Sequence, residues 1–148
     1  MSLENQIKQD IVTAMKAKDR LKLGTLRMVK AAMTNYSIEQ KKEQLADSDL
    51  ITILQKQVKQ RRDSIDSFKK AGRQDAADKE EKEMGILQSY LPKQLSEDEL
   101  KALVQAAIGE TGAAGKADVG KVMKALMPKV QGKAEGKLVS QIVQALLK

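Results

Sequence analysis

An all-α protein in two parts is predicted: a four-helix, bundle-like N-terminal domain over residues 1–93 and a small three-helix C-terminal domain over residues 94–148. Three observations predict it. Apolar residues recur at three- and four-residue spacing along nearly the whole chain, which is the mark of helices with one buried stripe. Ala, Leu, Lys, Gln, Glu and Met, all good helix formers, dominate a sequence that holds two prolines. The pattern stops at Leu91-Pro92, where proline disfavours helix in the residue before it, and restarts at Ser96.

The first helix is expected to bury Ile7, Ile11, Ala14 and Met15 behind a Ser2 cap. Leu23, Leu26, Val29, Met33 and Tyr36 predict a second, which frays into the polar run from Glu39 to Gln44. Asp47 or Ser48 can cap a third, carrying Ile51, Leu54, Val58, Ile65 and Phe68 as far as Gly72, a residue suited to ending helices. The fourth should run from about Asp75 to Tyr90, with Ala77, Met84 and Leu87 inward. Beyond Pro92, Ser96 to Glu99 reads as a capping box before the stripe Leu100, Leu103, Val104, Ala107 and Ile108. The small-residue turn from Thr111 to Gly115 leads to Val119, Val122, Met123, Leu126 and Met127, a stripe expected to close at Pro128. Leu138, Val139, Ile142, Val143 and Leu146 make the last.

Composition excludes several functions. With no histidine and no cysteine, the chain can build neither a Ser-His-Asp triad, nor a His- or Cys-ligated zinc site, nor a thiol nucleophile or disulfide. Tyr36, Phe68 and Tyr90 are the only aromatics and belong to the stripes, so platforms for stacking unpaired bases are not expected. There is no apolar run long enough to span a membrane, and Met1 to Gln9 lacks the apolar centre of a secretory signal, so a cytoplasmic location is expected. The net charge is +7, unevenly spread: residues 96–110 carry net −3, whereas residues 111–148 carry seven lysines against two acids. A local excess of that kind suits a polyanion.

Lys116, Lys121, Lys124, Lys129, Lys133 and Lys137 are accordingly the candidate RNA-binding residues. They surround two expected helix starts, near Asp118 and Glu135, where unpaired N–H groups and the helix dipole attract anions. Gly115 to Lys121 also fits the first seven positions of a nucleotide-binding P-loop, but Val122 stands where a magnesium-holding Ser or Thr belongs, and no strand precedes it. In the N-terminal part, Arg61 and Glu80 interrupt the inward series of helices three and four and are candidates for a structural ion pair between them. The run Lys79-Glu-Glu-Lys-Glu83 reads as a solvated face of alternating sign. No catalytic, cofactor-binding or metal-ligating residues are assigned.

Gly120-Lys-Val-Met-Lys-Ala-Leu-Met-Pro128, followed by Gly132-Lys-Ala-Glu-Gly-Lys137, resembles the closing motif of the GatB/YqeY family. Leu26-Arg-Met-Val-Lys-Ala-Ala-Met33, Arg61-Arg-Asp-Ser-Ile65 and Gln88-Ser-Tyr-Leu-Pro92 resemble other stretches of it, so the likeness covers essentially the whole chain. Glu135 departs from the Asp usual in the pattern and is the poorer cap. The resemblance implies a helical bundle followed by a three-helix domain akin to the tail of the B subunit of the glutamine-dependent Asp/Glu-tRNA amidotransferase. It implies tRNA as a partner, together with an aminoacyl-tRNA-related enzyme, and a family association with carbon–nitrogen ligation using glutamine as amido donor. The residues themselves supply no machinery for that chemistry. The expected function is therefore a tRNA-binding or tRNA-enzyme accessory protein without catalysis of its own. The alternatives are a helical protein–protein adaptor, or an amidotransferase-associated subunit active only with partners.

Overall fold

The computed structural model describes residues 1–147, and among them every regular element is helical. The chain divides into two compact units, one of residues 1–91 and one beginning at Pro92. In the first, α1 spans Leu3–Lys16, α2 Arg20–Gln40, α3 Asp47–Lys70 and α4 Gln74–Gln88. In the second, α5 spans Glu97–Thr111, α6 Val119–Val130 and α7 Gly136–Leu146, with a 3-10 turn at Lys116–Asp118 leading into α6.

In the first unit, Ile7, Leu26, Val29, Leu50, Leu54 and Leu87 are fully buried and form the centre of a core shared by all four helices. Side chains fix the helix ends around it. The Ser2 hydroxyl accepts the Asn5 N–H at 3.2 Å, and the Asp19 carboxylate accepts that of Lys22 at 3.1 Å, each satisfying a donor that an open helix start leaves bare. The start of α3 and the loop before it are stitched to the start of α1: Leu3 N–H donates to Asp47 at 2.9 Å, and Leu45 N–H to Glu4 at 3.1 Å. Asp49 is buried, accepting from Ala46 N–H at 2.9 Å, the Tyr36 hydroxyl at 3.0 Å and the Lys42 ammonium at 3.1 Å. The Ala46 amide, and then Lys42, hold its carboxyl below the usual carboxylate range. Past α4, the buried Tyr90 hydroxyl donates to Asp10 of α1 at 2.6 Å, and burial pushes that phenol well above its ordinary value.

In the second unit, Ser96 caps α5 by accepting the Glu99 N–H at 3.1 Å while its hydroxyl donates to the Glu99 carboxylate. Leu100, Val104, Val122, Leu126, Val139 and Val143 fill the core. The segment before α5 is strapped to the turn between α6 and α7, with Leu95 N–H on Lys133 O at 2.9 Å and the Gln94 amide on Gly132 O at 2.8 Å.

Some sequence expectations need correction. Helix α4 ends at Gln88 rather than Tyr90, because a tight turn from Tyr90 N–H to Leu87 O closes it early. Pro128 does not end α6: in the last turn its missing N–H forfeits one bond, and Gln131 N–H still reaches Met127 O at 2.9 Å. Met15, Met127 and Leu138, expected inward, are 51%, 39% and 39% exposed. Each sits at the margin of its stripe, where one helical step of about 100° already reaches solvent.

Candidate functional site

The six lysines between 116 and 137 are all exposed. Lys116 lies in the 3-10 turn. Lys121 and Lys124 share the outward face of α6, one turn apart, a spacing that sets Cβ atoms about 5–6 Å from each other. Lys133 occupies the turn after α6, and Lys137 the first turn of α7. Lys129 points elsewhere and pairs with Glu110 of α5 at 3.4 Å. Among the described residues it is the one lysine of the six in an ion pair.

The structure separates the two helix starts that the sequence suggests as one grip. Helix α6 is 12 residues long, so about 18 Å of helix lies between its first turn and the turn that leads into α7. Lys116 and Lys121 lie at the first end, Lys124 at mid-helix, and Lys133 and Lys137 at the second. The expected cap also differs. Asp118 precedes α6, but its carboxylate turns back to accept the Ala114 N–H at 3.0 Å and makes no side-chain cap on the helix it opens. The 3-10 turn takes up the Val119 N–H on Lys116 O, and the first turn of α6 has no side-chain cap beside Lys116 and Lys121. Helix α7 begins at Gly136 with Glu135 at the capping position, so glutamate in place of aspartate does not displace that start. The arrangement suits an extended anion with charges spaced along a backbone.

In the first unit, Arg61 is 6% exposed and its guanidinium donates to Glu80 at 3.0 Å and to Glu83. It also lies 3.3 Å from the Met28 sulfur. Beside it is an open depression of about 180 Å3 whose lining includes Met28, Gln57, Ser64 and Glu80. Glu83 is the member that sequence reasoning missed, having placed it on a solvated face. Its side chain is 13% exposed, and three-residue spacing from Glu80 on a helix was the signal that both carboxylates face the same way. Among the described residues, no three His, Cys, Asp or Glu side chains are grouped to hold a metal ion, and no helix is long and apolar enough to cross a membrane.

A family model described as Yqey-like protein matches residues 4–147. The chain is 32% identical over 146 residues to a protein of Pyrenophora tritici-repentis named altered inheritance of mitochondria protein 41, mitochondrial, the match covering 96% of this chain and 79% of that protein. Proteins of the same name from Eremothecium gossypii and Vanderwaltozyma polyspora are 42% and 39% identical over 85 residues, 57% of this chain. The chain spans just under half of the length of each of those two, 46%. These names overturn the cytoplasmic location expected from composition, since the relatives are named as mitochondrial proteins. The inference failed because a missing apolar signal core argues only against secretion. Mitochondrial addressing segments are amphipathic and basic, so an absent apolar core does not separate cytoplasm from organelle.

Proposed function

The chain belongs to the Yqey-like protein family, and from that premise we propose that it is a tRNA-binding accessory protein that works beside a tRNA-modifying enzyme and has no catalysis of its own. One observation carries the reading: exposed lysines flank both ends of α6, and the amide donors at its start are not capped by Asp118. Folded RNA presents phosphates and 2′-hydroxyls in a shape that such a surface can grip without aromatic platforms. Contacts are then to backbone, so binding is shape-selective and weakly dependent on base sequence.

Salt dependence tests it. With Lys116, Lys121, Lys133 and Lys137 neutralising about four phosphates, log affinity for tRNA falls with log salt at a slope of roughly −3 to −4. Changing Lys121 and Lys137 to Gln makes the slope shallower by about 2 and weakens different tRNAs equally. The melting temperature stays put, because exposed unpaired lysines contribute little to folding. Absence of tRNA binding at low salt rejects the reading and leaves the adaptor function.

A further inference from the structure

Positive charge also collects well away from the six lysines. Residues 16–42 hold eight basic side chains against two acids, and residues 20–38 hold no acid at all. Helix α2 runs through the middle of this stretch. Arg20, Arg27 and Lys30 are exposed on it, as are Lys16 at the end of α1 and Lys18 in the turn that follows. Among the described residues none of these five is in an ion pair, although α1, α3 and α4 all carry them. Asp19, at the cap of α2, accepts the Lys22 N–H, and Glu80 and Glu83, across the depression beside Met28, are held by Arg61.

Helix geometry aligns the cations. Seven residues are close to two full turns, so Arg20 and Arg27 point the same way about 10 Å apart, with Lys30 one turn further along the flank. Between the two arginines lies the exposed Gly24, with open space around its Cα. We propose that this face of α2 is a second contact surface for RNA, taking the phosphates of a backbone laid along the helix. A spacing of about 10 Å is too wide for one small anion. Helix α2 also exposes Met28 and Ile38, but neither lies between the arginines, so the row itself lacks the bulky apolar anchor of a protein-docking surface. A narrow, acid-free row of guanidinium and ammonium groups is instead complementary to a phosphate chain.

The inference rests on the RNA-binding reading of the chain but uses none of its lysines, so each can fail without the other. The test titrates the full chain with unfractionated tRNA at several salt concentrations. With the α2 cations adding to the slope set by the four lysines, the triple variant Arg20→Gln, Arg27→Gln, Lys30→Gln should make the wild-type salt slope shallower by roughly 2 to 3. Affinity should fall equally for different tRNAs, while the charge-keeping variant Arg20→Lys, Arg27→Lys retains the wild-type slope. If the Gln triple variant loses slope and Lys121→Gln, Lys137→Gln does not, the α2 surface stands and the reading of the second unit fails. An unchanged slope and affinity in the triple variant, when the wild type binds tRNA, overturns the α2 surface. So does a wild-type chain that binds polyglutamate but not tRNA at low salt, which assigns the row to an acidic protein.

Discussion

Arg61 concentrates one positive charge against two carboxylates on a neighbouring helix, with 7% of its side chain exposed against 24% and 13% for Glu80 and Glu83. Removing the cation leaves two partly buried negative charges facing each other. Taking one partner from such a cluster commonly costs about 3–5 kcal/mol, and the exposure of Glu80 favours the lower end of that range. Arg61→Met should therefore cost about 3 kcal/mol by urea denaturation. Adding Glu80→Gln and Glu83→Gln should recover most of it, whereas adding Glu80→Gln alone should not. The Arg61 and Glu80 positions are legible in the sequence because each breaks an apolar series. Glu83 is masked by the run of alternating charge around it, and only its three-residue spacing from Glu80 sets it on the same side. The contact with the Met28 sulfur is invisible for another reason: an exposed methionine on α2 is marked only by the fold that brings Arg61 to it.

At the scale of the helix, every α-helix is announced by its apolar period, and the ends are where reading falters. Gly72 and Gly112, both at positive φ, mark their turns openly. The ends of α1 and α2 carry no such mark, because Lys18 (φ 56°) and Lys41 (φ 55°) occupy the left-handed conformation that glycine tolerates best. A residue with a Cβ pays roughly 1–2 kcal/mol there. Lys18→Gly and Lys41→Gly should each stabilise the fold by about 0.5–1 kcal/mol, the relief being offset in part by glycine's greater freedom in the unfolded chain. Lys18→Ala keeps the Cβ and should leave the urea midpoint nearly unchanged. Helix α6 is misread in the opposite sense, since Pro128 looks like a stop and instead occupies a last turn that tolerates one missing bond. The lysines around α6 are legible as a charge excess. Their division between two ends of one helix is not, because charge counting has no length scale until the helix supplies one.

For the whole molecule, periodicity reports what each helix buries and nothing about which residues distant in sequence meet. The joins from Leu3 to Asp47 and from Leu45 to Glu4 therefore had no signal. Neither did the hydrogen bond from Tyr90 to Asp10, across 80 positions of sequence. That last bond has a consequence in time. Helices α3 and α4 adjoin in sequence and can pair early, because closing a short loop costs little entropy. Tyr90 can reach Asp10 only after α1 and α4 have found their places, so the contact belongs to the final, downhill side of the folding barrier. Tyr90→Phe, which deletes a hydroxyl worth about 1–1.5 kcal/mol, should hasten unfolding roughly tenfold and leave the refolding rate almost untouched in stopped-flow measurements. The clasp then acts as a brake on opening: it sets how long a folded molecule survives, and has little say in how quickly it forms.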